Sequence, residues 1–174
     1  MKEVAQTLIS LDEALFVRLF GLPLNKMLST LIYWVSRSAD GYFYPIIPAV
    51  AFYFGDENYV TLFTTTLVAF AIELPLYKFL KSSIRRERPF QALSGVARRI
   101  TPPDQFSFPS GHTAGALVIS VVVANFFPWL SIPVFIWASL VGFSRVHLGV
   151  HFPLDVIVGA VIGAFCGHLA ILAL

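Results

Sequence analysis

Charge is scarce in this chain. Of its 174 residues only 13% are Asp, Glu, Lys or Arg, against 57% hydrophobic, where a soluble domain carries about a quarter charged residues. A deficit of that size excludes an ordinary water-soluble globule and points to a bilayer as the solvent. Cysteine is nearly absent. The single thiol, Cys166, excludes an intrachain disulfide and a cysteine-rich metal site, and its apolar surroundings mark it as a small core or lipid-facing residue. No uninterrupted apolar stretch follows the opening Met1-Lys2-Glu3, and Asp12 and Glu13 come soon after, so a cleaved signal peptide is not expected. Internal repeats and low-complexity linkers are lacking too, which leaves a single domain over residues 1–174 as the expectation. The net charge of +2 gives no ground for a nucleic-acid partner, and none is expected.

What the chain has in abundance is apolar length. A helix needs about 20 mostly apolar residues to cross the hydrocarbon core, and residues 59–80, 110–127, 132–148 and 154–174 come near that length. Residues 22–35 and 42–54 are shorter; the first carries Asn25, Lys26 and Ser29, and the second is bounded by Asp40 and Asp56. Both still read as spans, their polar residues facing a bundle interior or the interface. Ahead of them Val4, Leu8, Leu11, Leu15 and Leu19 recur at spacings of three or four, the mark of an amphipathic helix lying on the membrane surface. The expected fold is therefore all-α and integral to the membrane: an interfacial helix over residues 1–20, then a six-helix bundle over 22–174. Counting crossings puts the loop 81–109, the start of the fourth span at Ser110 and the turn 148–153 on one face, with both termini on the other.

That one face gathers three blocks suited to a phosphoryl group. In the first, Arg88 offers a planar fork of donors for two phosphate oxygens and Lys81 adds a point charge. Its neighbours Arg85, Arg86, Arg98 and Arg99 read as lipid-headgroup contacts or orientation signals. In the second, Pro109-Ser110-Gly111-His112 opens the fourth span, where unpaired N–H groups and the positive dipole end favour an anion. A phosphate there takes backbone N–H bonds and the Ser110 hydroxyl, Gly111 permits close approach, and His112 can give a proton to a leaving oxygen. An ordinary Ser N-cap followed by an interfacial histidine accounts for the same tetrapeptide. In the third, Ser144-Arg145 precedes His151 and Asp155, which are four apart with Pro153 at a first helical turn. Asp155 can accept from His151 Nδ1–H, fixing the tautomer and leaving Nε2 free as a nucleophile. His147 and His151 are also four apart, and with Asp155 make a two-His, one-carboxylate metal set. Lys81, Arg88 and Arg145 weigh against it, since they repel a divalent cation and attract a phosphate. His147 then reads as a supporting or structural residue, and His168, deep in the last span, as a packing one.

Lys81, Arg88 and Pro89; Pro109, Ser110, Gly111 and His112; Ser144, Arg145, His151 and Asp155 together resemble the three-part signature of the type-2 phosphatidic acid phosphatase family, within the lipid phosphatase and vanadium haloperoxidase superfamily. Every signature position is matched, in order, between Lys81 and Asp155. The resemblance implies a lipid phosphatase with a six-helix membrane core, no metal, no cofactor and inhibition by vanadate. It implies that His151 forms a phosphohistidine oriented by Asp155, that His112 protonates the leaving oxygen, and that Lys81, Arg88, Ser110, Gly111 and Arg145 hold the phosphate. The implied partners are a phosphorylated lipid and the bilayer. The compact size resembles small bacterial members, which act on undecaprenyl diphosphate, phosphatidylglycerol phosphate, phosphatidic acid or lipid A; undecaprenyl diphosphate is the favoured expectation. A lipid-to-lipid phosphotransferase using the same phosphohistidine, and a non-enzymatic lipid-phosphate binder or transporter, stand as alternatives; the oriented His151–Asp155 pair and His112 weigh against the binder. The resemblance also implies a bacterial inner-membrane protein with its site on the periplasmic face and both termini in the cytoplasm. Charge disagrees: nine of the twelve Lys and Arg fall on the expected site face, which favours that face inside.

Overall fold

The computed structural model describes residues 2–55 and 57–174; Met1, and Asp56 at the edge of the second short span, lie outside them. Regular structure among the described residues is helical throughout: α1 (Lys2–Phe20), α2 (Lys26–Ser38), α3 (Ile46–Tyr53), α4 (Tyr59–Ile84), the short α5 (Pro89–Ala92), α6 (Gly111–Phe126), α7 (Ser131–His147) and α8 (Pro153–Ala173). The chain supplies its own stops and starts. The Asn25 side chain accepts the Leu28 N–H at 2.8 Å and opens α2. Arg85, at φ 50, closes α4 in the left-handed conformation. Pro153 begins α8 where its missing N–H is not needed.

Three helical stretches are long and apolar enough to cross a membrane: α4, α7 with the 3-10 turn before it, and α8. Helix α6 is apolar but shorter, at 16 residues. These four correspond to the four long spans expected from the sequence. The two weak ones shrink, α2 to 13 residues and α3 to 8. At about 1.5 Å per residue neither regular segment covers a hydrocarbon core of about 30 Å. Four long helices and two short ones thus stand where six crossing helices were expected.

Helix α1 differs more. Val4, Leu8, Leu11 and Leu15 of its apolar stripe are exposed, and the docked face is instead Asp12 and Phe16, both buried. Phe16 packs with Val146 and Phe152, the Leu154 N–H donates to Asp12 at 2.8 Å, and Phe20 O accepts from Arg99 at 3.2 Å. Val146, Phe152 and Leu154 lie where α7 ends and α8 begins, and Arg99 is tied there by its N–H to Leu148 O at 3.0 Å, so α1 sits at the same end of the bundle as the turn 148–153. From sequence it was expected on the opposite side with the C-terminus. The C-terminal half of α8 does lie at the other end, where Cys166 and Ala170 share a core with Leu62 and Val122.

The bundle is built around α6, which packs against α4, α7 and α8. Its approach to α8 is set by glycine. A Cβ on Gly163 would stand 2.1 Å from Ala114 O, and one on Gly159 would stand 2.4 Å from Ser110 O, so only glycine at both positions lets the two backbones meet. Gly163→Ala is therefore expected to destabilise the fold by about 1–3 kcal/mol through overpacking against rigid backbone. Gly167→Ala, which meets the Val121 side chain at 3.0 Å, should cost less. Thermal unfolding of the two variants in detergent checks the order.

Candidate active site

Helix starts and ends deliver the signature residues to one place. Lys81 comes from the end of α4, Arg88 from the extended residue before α5, His112 from the first turn of α6, Arg145 from the last turn of α7, and His151 from the loop before α8. All five, with Gly111, line one cavity of about 470 Å³. A second cavity of about 490 Å³, lined by Arg37, Tyr42, Arg99 and Thr101, shares Asp40, His112 and Arg145 with the first. Ser110 and Asp155 lie behind the first cavity's wall, fully buried.

The two arginines are anchored but not saturated. Arg88 Nη1 donates to Val150 O at 2.6 Å, and Arg145 Nη1 donates to Ser36 Oγ at 2.6 Å. Among the described residues the Nε of each is buried without a partner, a donor left over in a low-dielectric pocket, where unpaired polar groups are costly. His151 Nε2 lies 3.5 Å from Arg88 Nη1 on the cavity side. Burial, then the nearby charges of Arg145, Arg88, Lys81 and His112, push its pKa well below the ordinary histidine value. The ring is neutral at pH 7, the form in which a nitrogen lone pair can attack.

Asp155 is close to His151 but committed elsewhere. Its Oδ2 lies 3.8 Å from His151 Nδ1, beyond hydrogen-bond reach. That oxygen accepts the Phe152 N–H at 2.8 Å, and Oδ1 accepts from Arg86 Nη1 at 2.8 Å. Nδ1 of His151 is buried and unpartnered. The direct bond expected from the four-residue spacing is thus not made in this arrangement. Ser110 Oγ, expected to face a phosphate, lies 2.9 Å from Thr113 Oγ1, and the Ser110 N–H donates to Asp155 O at 3.0 Å. A Cβ on Gly111 would stand 2.8 Å from the Tyr77 ring, so close packing needs a glycine there as well.

Several arginines expected at lipid headgroups have other partners. Arg86 bridges Asp155 and Asp12, at 2.8 and 2.6 Å, and lies 4.0 Å from the Phe152 ring centroid. Arg99 contacts His147 Nε2 and Phe20 O. Arg85 and Arg98 turn to Ser82 O and the Phe90 ring. His147 faces α1, with Nδ1 3.3 Å from Leu19 O and its ring stacked on Phe143. It is not brought to His151 and Asp155, and no cluster of three metal-ligating side chains occurs among the described residues.

A PAP2 superfamily profile matches residues 58–174, from the start of α4 to the end of the chain, and so takes in every residue of this cavity from Lys81 onward. The chain belongs to the PAP2 superfamily. It is 33% identical over 111 residues to an undecaprenyl-diphosphatase of Sulfolobus acidocaldarius, covering 62% of this chain and 52% of that one. It spans about half the length of the curated relatives it matches. Among solved structures, Aquifex aeolicus LpxE superposes with a TM-score of 0.79 at 30% identity, covering 91% of this chain and 93% of its own. The transmembrane PAP2-type phosphatidylglycerolphosphate phosphatase of Bacillus subtilis gives 0.75 at 28%, over 94% and 84%. With these neighbours the apolar helices make this a membrane protein.

Two acids in contact with the cations and histidine of this PAP2 site went unassigned from sequence. Asp40 Oδ1 lies 2.9 Å from His112 Nε2 and its Oδ2 pairs with Arg37 at 2.9 Å. Asp104 accepts from Lys81 Nζ at 2.9 Å, Arg88 Nη2 at 2.6 Å and Tyr77 Oη at 2.8 Å. Burial opposes the Asp104 carboxylate, but the bonds and charges of Lys81, Tyr77 and Arg88 outweigh it and hold its pKa below the usual range. One signal was available: Asp104 is the only acid between Glu87 and the Pro109 block. An anion on Lys81 and Arg88 must compete with this carboxylate. Asp104→Asn is expected to tighten orthovanadate binding about tenfold, the loss of roughly 1.4 kcal/mol of competition. Isothermal titration reads it, and weaker binding in the variant would mean that Asp104 positions the cations instead.

Proposed function

We propose that this PAP2 protein is a metal-independent lipid phosphatase working through a phosphohistidine. The observation that carries the proposal is the convergence of Lys81, Arg88, His112, Arg145 and His151 on one cavity whose deeper wall is apolar. A phosphate enters this cluster as the Asp104 carboxylate yields it. Lys81, Arg88 and Arg145, with the Gly111 N–H, hold the equatorial oxygens, Ser110 Oγ joining them only once it turns from Thr113 toward the cavity, and positioning with charge stabilisation supplies most of the catalysis. The His151 Nε2 lone pair attacks phosphorus; the N–P bond forms as the bond to the leaving oxygen breaks. His112 gives that oxygen its proton, whether it belongs to a lipid alcohol or to the remaining phosphate of a diphosphate. Asp155, 3.8 Å from Nδ1, stabilises the positive charge the ring acquires. Water then attacks phosphorus while His112 takes its proton, and the N–P electron pair returns to His151.

The phosphate-holding residues see only phosphate, so they do not select the lipid. From the family resemblance we also propose that the site faces the periplasm of a bacterial inner membrane, with the C-terminus in the cytoplasm. A C-terminal reporter fusion is expected to be active in the cytoplasm, and periplasmic activity would reverse the orientation.

His151→Ala should abolish phosphate release, because no covalent intermediate can form. His112→Ala should slow leaving-group departure by about a hundred- to ten-thousand-fold. Purified protein assayed with EDTA against phosphatidic acid, phosphatidylglycerol phosphate, lipid A and undecaprenyl diphosphate, with acid-labile labelling of the enzyme, reads both. Undiminished release by the His151 variant would sink the phosphohistidine.

A further inference from the structure

Glu73 has no part in the chemistry above, yet it is the most unusual side chain in the molecule. It sits mid-way along α4, two turns and more before Lys81, and is 2% exposed. It lines the same cavity as the phosphate cluster, in a mostly apolar stretch of wall shared with Tyr44, Phe63, Thr66, Leu67, Phe70 and Leu74. Among the described residues it has neither a hydrogen bond nor an ion pair. An ionisable side chain held inside a span without a partner is costly to keep and points to a functional role.

Lys81 and Glu73 are eight residues apart on one helix and both face the cavity, which separates them by roughly 12 Å along the axis. A lipid whose phosphate rests on Lys81 therefore runs its body past Glu73. What it presents there depends on its chemistry. A polyprenyl diphosphate presents hydrocarbon, which leaves the carboxyl buried and unsatisfied. A lipid with an ester, amide or hydroxyl group at that depth supplies the missing hydrogen bond.

We infer that Glu73 is a specificity-determining residue that selects acylated lipid phosphates, which carry an ester, amide or hydroxyl group beneath the phosphate, over polyprenyl phosphates. The selection works by the asymmetry of buried polar groups: a site built to pair one penalises the analogue that leaves it unpaired. This departs from undecaprenyl diphosphate, the substrate favoured at the level of sequence, and it rests on the phosphatase proposal above.

The experiment compares kcat/KM of wild-type protein, Glu73→Gln and Glu73→Leu on phosphatidic acid, lipid A and undecaprenyl diphosphate. Wild type should prefer one acylated lipid by tenfold or more. Glu73→Leu should cut the ratio of that lipid to undecaprenyl diphosphate by at least tenfold, and Glu73→Gln, which keeps a hydrogen-bonding group, should retain most of it. Preference for phosphatidic acid would identify an ester as the partner; preference for lipid A would identify an amide or hydroxyl. A wild-type preference for undecaprenyl diphosphate, or a ratio that Glu73→Leu leaves unchanged, overturns the inference while leaving the phosphatase intact. The wild-type preference decides the matter even if the leucine variant does not fold. No turnover of any lipid or of a soluble phosphomonoester by folded wild type would instead remove the phosphatase proposal itself, and Glu73's role with it.

Discussion

Helices α6 and α8 approach so closely that two of their contacts involve backbone atoms against glycine, and the rest of the site inherits its geometry from that crossing. Gly159 admits the Ser110 carbonyl and Gly163 admits the Ala114 carbonyl. One turn above, the Ser110 N–H donates to Asp155 O. The first residue of the Ser-Gly-His segment is thus pinned to α8 on both sides of its peptide unit. His112 follows from α6 and His151 from the residues just before α8, so the crossing fixes the two histidines relative to each other without either needing to touch the other helix. Backbone packed against backbone cannot be retuned by a rotamer change, which makes this the least adjustable dimension of the site.

Charge is the complementary constraint. Lys81, Arg88 and Arg145 are all buried, and like charges gathered in a low dielectric repel unless acids are interleaved. The acids present are specific: Asp104 for Lys81 and Arg88, Asp155 for Arg86, Asp40 for Arg37 and His112. Arg86 carries this outward, since its second carboxylate is Asp12 on α1. The N-terminal helix is therefore joined to the site electrostatically, through an arginine, rather than merely resting on a membrane. Val4, Leu8, Leu11 and Leu15 are left exposed while Asp12 is turned inward, the reverse of a water-soluble amphipathic helix and the arrangement expected where lipid is the solvent.

The cluster itself was legible in the sequence because its residues stand at helix ends, and counting apolar segments is enough to put those ends on one face. Lys81, Arg88, His112, Arg145 and His151 meet as the spacing requires. What the sequence hid was pairing. Nothing local says that Arg86 rather than Arg85 reaches Asp155 across 69 positions, or that Asp104 rather than Glu87 covers Lys81. The His151–Asp155 spacing of four suggested a direct bond, but the carboxylate is drawn off by a backbone N–H three residues before it and by Arg86. The short spans were overread for a related reason: hydropathy counts apolar residues, while the length of α2 and α3 is decided by where Asn25, the Gly41 turn and Pro45 let a helix begin.

The two cavities meet at Asp40, His112 and Arg145, and their walls differ: one is mostly apolar, the other opens among exposed Arg37, Tyr42 and Thr101. Under the proposed hydrolysis, a centre with a greasy door and a wet door would give its two products separate exits. The alcohol, released first, would slip back into the bilayer, and the inorganic phosphate freed afterwards would leave toward water. Blocking agents then fall into two families that need not compete, and a single molecule shaped to thread both doors would hold the centre from each side at once.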